Sequence, residues 1–456
     1  MPAGSNSADL QRSIEAVWRI ESARLIATLT RLVRDVGVAE DLAQDAFVAA
    51  LERWHQTGIP DNPAAWLMAA AKNRAIDLLR RNKLLDRKHQ QLGYELDSAN
   101  QLTPDQIHEA IDDPVRDDLL RLIFISCHPI LAPEARVALT LRLLGGLNTD
   151  EIARAFLVAE PTIAQRIVRA KRTLSEARIP FEVPRGDEFT ARLASVLQVV
   201  YLIFNEGYSA TAGDDWMRPA LCEDALRLGR ILAELVPDEP EVHGLVALME
   251  IQASRLNARV GPGGEPVLLL DQDRSRWDQI LIQRGLAALD RAESLLLRNT
   301  SSDENAPHLV SEVWSLQDAV TKTAAGPYTL QAAIAACHAR ALTPEATDWQ
   351  RIVHLYTQLL RISPSPIVEL NRAVAVSMAS GPAAALPLID AIADHPTLKS
   401  YHLLPSVRGD LLQKLGRHRE ARAEFERAAA LTRNLRERTL LLERARTASS
   451  ASLPPG

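Results

Sequence analysis

Between Pro161 and Glu176 the chain reads PTIAQRIVRAKRTLSE, with no acid before the last position. Helical spacing puts Ile163, Ile167 and Ala170 on an inner face. Thr162, Gln165, Arg166, Arg169 and Arg172 then fall outside or flank that face, with Lys171 nearby. Gln and Arg can meet base edges with paired hydrogen bonds, and the other cations suit phosphates. The chemistry implied is recognition of a polyanion. The competing reading is a helical hairpin with a solvated basic face.

Other residues with chemical potential are less organised. NEGY (205–208) and DQDRSRWD (271–278) gather Asn205, Glu206, Tyr208, Asp271, Asp273, Arg274 and Asp278. Carboxylates beside an arginine suit acid/base work, but no nucleophile–base spacing or phosphate-binding glycine loop accompanies them. A buried hydrogen-bond framework or a peptide clamp is the reading preferred, and the chain is not expected to be an enzyme. Cys127-His128 and Cys337-His338 invite a zinc reading, yet adjacent ligands are awkward on one metal and no CxxC occurs. We expect no metal and no cofactor.

The elements that must position these residues are helices. Ahead of the basic segment, LNTDEIARAF (147–156) predicts a bracing helix with Thr149 as cap and Ile152, Ala153 and Phe156 inside. LVAEP breaks it, and Pro161 suits the first turn of the second helix. Together they have the form of a helix-turn-helix, in which the second helix enters the major groove. Earlier, AEDLAQDAFVAALERW (39–54) places Leu42, Phe47, Ala50, Leu51 and Trp54 on an apolar face. Asp41, Gln44 and Asp45 lie opposite. After a break at 55–63, Asn62 should cap a helix that starts at Pro63 and becomes basic, with Lys72, Asn73, Arg74, Arg80 and Arg81. Trp54 and Trp66 flank the break, as stacking platforms or as core.

Composition agrees with an all-α protein. The 456 residues are 47% hydrophobic, 24% charged and only 4% aromatic, a mixture that favours helix-on-helix packing. A net charge of -6 excludes a chain that coats nucleic acid with its whole surface, but not a basic patch. Three scattered cysteines suit a reducing compartment. With no long apolar run and no signal-like start, a cytoplasmic location is expected. Residues 95–118 carry eight acids against Arg116 and read as a linker. From 190 onward helix follows helix. Gly409, Gly416, Ala421, Phe425 and Ala428 have the spacing of a tetratricopeptide repeat, and Gly381 precedes Gly416 by 35 residues, near the ~34-residue period of such repeats.

Across residues 12–178 the chain resembles the extracytoplasmic-function sigma factors of bacterial RNA polymerase. AEDLAQDAFVAALERW looks like the part of their second conserved region that docks on polymerase. NPAAWLMAAAKNRAIDLLRR looks like the part that captures and melts the −10 element, and 147–174 looks like the fourth region, which reads the −35 element. The resemblance implies core polymerase and promoter DNA as partners, through the clamp of the β′ subunit and the flap of the β subunit. It assigns Asp41, Gln44 and Asp45 to the polymerase. Trp54, Asn62, Lys72, Asn73, Arg74, Arg80 and Arg81 fall to the −10 element, and Thr162, Gln165, Arg166, Arg169, Lys171 and Arg172 to the −35 element.

DLLRLIFISCHPIL (118–131), YLIFNEGYSA (201–210), EPVLLLDQDRSRWD (265–278), GPYTLQAAIAACHARA (326–341) and PSPIVELNRAVAV (364–376) are similar to the subgroup with a long tetratricopeptide-like extension. The expected domains are a region 2 domain (8–88), an acidic linker (89–114), a region 4 domain (115–180) and a regulatory helical extension (186–448). The alternatives are a helix-turn-helix regulator without a polymerase role and a tetratricopeptide adaptor.

Overall fold

The computed structural model describes residues 4–91, 115–210, 217–301 and 325–450. The acidic linker lies almost wholly outside the described residues. The described residues are helical with no strand, and the nearest approach to a sheet is one isolated bridge between Val260 and Pro266. The chain divides into two compact units, 1–202 and 203–456.

In the first unit, α1 (Gly4–Val33), α2 (Val36–Thr57) and α3 (Pro63–Gln91) pack mutually. Their boundaries follow from local chemistry. The Asp35 carboxylate accepts the Val38 amide at 2.9 Å and starts α2. Gly58, at φ 80°, ends α2 in a conformation that other residues adopt only with strain. Asn62 caps α3 as expected, accepting the Ala65 amide at 3.0 Å.

The helices α4 (Val115–Ser126), α5 (Pro133–Leu143), α6 (Thr149–Phe156) and α7 (Glu160–Glu176) follow. One expectation is corrected here. The cap of α6 is Asn148, not Thr149: Asn148 and Glu151 exchange side-chain and backbone hydrogen bonds at 2.8 Å each. The turn into α7 closes through Leu157, which is left-handed at φ 50°. Ile152, Ile163 and Ile167 of this pair are buried, as are Phe124 of α4 and Leu139 and Leu141 of α5. The first part of α8 (Asp187–Tyr208) also belongs to this unit, and the division falls inside that helix.

In the second unit, α9 (Pro219–Leu235), α10 (Pro240–Ala253), α11 (Gln279–Ser301) and α12 (Pro327–Arg340) precede six further helices. These are α13 (Trp349–Ile362), α14 (Pro366–Ser380), α15 (Pro382–Ile392), α16 (Leu403–Lys414), α17 (His418–Leu431) and α18 (Leu435–Ser450). From α12 to α18 each helix packs on the next, as stacked helical repeats do. Gly381 and Gly416 supply the turns at φ 90° and 75°. A Cβ on Gly409 would stand 2.9 Å from the Phe425 ring, so the small residue lets α16 and α17 approach.

Candidate nucleic-acid interface

The geometry of α7 matches the expected division of faces. Ile163, Ile167, Ala170 and Leu174 are buried, while Thr162, Gln165, Arg169 and Arg172 are exposed along one side. Arg166 is half-buried at the edge. No ion pair to Arg166 or Arg169 occurs among the described residues, so both guanidinium groups can turn to an incoming anion. Arg172 is held by Glu176 at 2.6 Å, and that hydrogen bond raises its pKa. Lys171 is placed differently from the others. Its Nζ lies 2.5 Å from the Glu40 carboxylate on α2, with only 19% of the side chain exposed. It is not part of the open face in this conformation.

Sequence reasoning missed Val168, which lies one turn beyond Gln165 and is 63% exposed. The missing signal was positional: valine reads as core in a period count, yet the buried stripe runs through Ile163 and Ile167. Apolar side chains at such positions can contact the thymine methyl group.

On the first domain, Asp41 and Asp45 are exposed on α2, and Gln44 is half-buried with its amide on Glu40 at 2.5 Å. Val48 continues this face at 51% exposure and was also overlooked. An exposed apolar residue in line with two carboxylates suits a protein contact more than solvent.

The break between α2 and α3 leaves Asn62 exposed, beside the exposed Gly58. Asn73, Arg80 and Arg81 are exposed on α3, and Lys72 and Arg74 are half-buried. Arg80 approaches Asp77 only to 4.0 Å, a surface pair worth little. Trp54 must be corrected. It is 1% exposed, and its ring packs edge-on against Trp66 with centroids 5.3 Å apart. It offers no face to a base, so it is a core residue that sets the loop, not a stacking platform.

The other chemical clusters resolve into structure. Glu206 pairs with Arg218. Asp273 accepts from Ser275, and Asp278 caps α11 through the Ile280 and Leu281 amides at 2.9 and 3.1 Å. Arg274 donates to the His338 and Ala341 carbonyls at 2.8 and 2.5 Å, binding the irregular loop to α12. The Cys-His pairs are packed. Cys127 and Cys337 are buried, burial drives His338 down to about 3, and its ring stands edge-on to Trp349. Among the described residues no group of three His, Cys, Asp or Glu is placed to hold a metal. No described helix is long and apolar enough to cross a membrane.

Comparison with known proteins places these surfaces in a family. Residues 19–84 match sigma-70 region 2, residues 121–174 match sigma-70 region 4, and residues 192–293 match a family of unknown function, DUF6596. An uncharacterized protein of Rhizobium meliloti (strain 1021) is 42% identical over 413 residues, 90% of each chain. The probable ECF RNA polymerase sigma factor SigI of Mycobacterium tuberculosis is 28% identical over 173 residues, 37% of this chain and 57% of that one. SigL of the same species, also named an ECF RNA polymerase sigma factor, is 29% identical over 164 residues, 35% of this chain and 86% of its own. No solved structure matches the chain. With regions 2 and 4 in order and a near full-length relative sharing the extension, the chain belongs to the extracytoplasmic-function sigma factors, in a subgroup with a long helical C-terminal extension.

Proposed function

We propose that this protein recruits core RNA polymerase to promoters carrying −35 and −10 elements and helps to open the DNA. The exposed side of α7, with Thr162, Gln165 and Arg169 and with half-buried Arg166 at its edge, reads the −35 element in the major groove. Asn62, Lys72, Asn73, Arg74, Arg80 and Arg81 hold the melted −10 strand, as a positive groove beside a polar loop would. Asp41, Asp45 and Val48 meet the clamp of the β′ subunit, and the region 4 domain meets the flap of the β subunit. The helices beyond Leu202 regulate this activity.

The observation that carries the reading is the separation of faces on α7. Four exposed polar residues and a buried stripe share one helix, inside the segment that matches sigma-70 region 4. The test is run-off transcription with purified core polymerase across the promoters of its own cell. Transcripts that require the protein support the reading. DNA binding without any such transcript would reduce it to a helix-turn-helix regulator.

A further inference from the structure

The segment DQDRSRWD (271–278) has no part in promoter reading, yet it builds a cluster of buried donors in the second unit. Arg255 follows the end of α10, Arg274 and Trp277 belong to this segment, and His338 lies in the last turn of α12. Ring contacts bring them together. The Trp277 ring lies 5.8 Å from the Arg255 guanidinium carbon and 5.0 Å from that of Arg274. Arg255 also stands 6.0 Å from the Tyr208 ring, and Arg274 holds the His338 carbonyl at 2.8 Å.

Arg255, Trp277 and His338 are 5%, 4% and 7% exposed, and Arg274 is half-buried. Neither arginine has an ion pair among the described residues. Arg255 donates to Gln252, and Arg274 uses its terminal nitrogens on the His338 and Ala341 carbonyls and on Thr347. The Nε atoms of both arginines, Trp277 Nε1 and His338 Nδ1 have no hydrogen-bond partner among the described residues. The exposed Glu345 acts on Arg274 only through space. Burial, then Arg255 and Arg274, push His338 down to about 3, so the ring is neutral.

A guanidinium buried without a counter-charge is costly, and stacking on an indole offsets only part of that cost. Buried N–H groups without acceptors add to it. Three of the four unpartnered atoms are donors, and His338 Nδ1 becomes a fourth in one tautomer. The ligand that would satisfy them is an anion rich in acceptors. Two arginines and a neutral histidine balance a charge near −2, which a phosphoryl group carries at pH 7. A carboxylate would leave one buried positive charge uncompensated.

We propose that Arg255, Arg274, Trp277 and His338 bind the phosphoryl group of a small molecule, either inorganic phosphate or a phosphomonoester. So little of the cluster reaches the surface that a nucleic-acid backbone does not fit it. The site lies wholly in the second unit, so it stands or falls independently of the sigma reading. It would give the helical extension a ligand of its own to respond to.

Equilibrium dialysis of the full-length protein against radiolabelled inorganic phosphate, at fixed ionic strength, tests this. The wild type should bind one phosphate per chain, saturating with a Kd at or below about 1 mM. Trp277→Phe keeps a ring for the guanidinium groups but removes one donor, so it should bind about tenfold more weakly. Arg255→Gln should abolish saturable binding, with circular dichroism reporting that each variant is folded. Displacement by glycerol phosphate would identify a phosphomonoester site, and its absence would restrict the site to the free anion. No saturable binding by the wild type overturns the proposal, as does unchanged binding by folded Trp277→Phe. Acetate that displaces phosphate at equal concentration would overturn the phosphoryl assignment.

Discussion

Arg192 donates to the carbonyl oxygen of Phe124 at 2.9 Å, fixing the first turns of α8 to the region 4 domain. Ser195 strengthens the tie. It donates to the Cys127 carbonyl at 2.7 Å and accepts from Arg136 at 2.5 Å. The Phe124 and Phe189 rings add a contact at 5.5 Å. Thus residues 187–202 complete the unit that contains the sigma domains, although from residue 192 onward they match the family of unknown function that covers part of the extension.

The first prediction follows from this tie. A chain cut after residue 185 loses the hydrogen bonds of Arg192 and Ser195 to Phe124, Cys127 and Arg136, each worth about 0.5–1.5 kcal/mol net. A chain cut after Leu202 keeps them. Thermal unfolding should show the shorter chain destabilised by at least about 2 kcal/mol relative to the longer. The longer chain should still discriminate −35 sequences while giving altered transcription. Equal stability of the two would mean that α8 packs on region 4 without supporting it.

The second prediction concerns base reading. Gln165→Ala and Arg169→Ala should each lower discrimination between −35 sequences by about 1–3 kcal/mol. Val168→Ala should matter only where a thymine is met: replacing that thymine with uracil should weaken wild-type binding and leave the variant unchanged. Binding titrations over single-base promoter variants would show it. A uniform loss on every sequence would assign these side chains to phosphate contacts alone.

The third prediction is a pH effect in the second unit. Glu293 is 1% exposed in α11, and burial raises its pKa from 4.5 to about 7, against the opposing pull of Arg340 and Arg351. The folded state therefore keeps a proton that the unfolded chain releases above its own pKa. The stability linked to this proton is fully present below about pH 4.5 and is lost as pH rises through 7. The shift corresponds to roughly 3 kcal/mol at its limit. Glu293→Gln should remove that dependence, so the variant gains on wild type between pH 5 and pH 8 in urea unfolding. Parallel pH profiles for the two proteins would show that Glu293 ionises normally.

Most of the helical plan was legible because its signals are local. Asn62 and Pro63 announced α3, Pro161 announced α7, and the Gly409 and Phe425 spacing announced the close approach of α16 and α17. The misplaced cap at α6 has a local cause too. Asn148 and Thr149 are both good caps, and only the Glu151 three residues after Asn148 decides between them. What the sequence concealed was long-range. Nothing near Lys171 shows that Glu40 will neutralise it, and nothing near Trp54 shows that Trp66 will cover it. Val48 and Val168 were passed over for the opposite reason: only polar residues were named on the outer faces, though binding faces also use apolar ones.

Under the proposed function this protein melts promoter DNA in the company of polymerase, which a simple DNA-binding regulator does not do. Permanganate reactivity of thymines across a −10 element, with core polymerase and the full-length protein, measures it most directly. Reactive, unpaired thymines are expected only when both proteins are present, with reactivity reduced by Arg80→Ala/Arg81→Ala. Thymines that stay protected on every promoter the protein binds would contradict it.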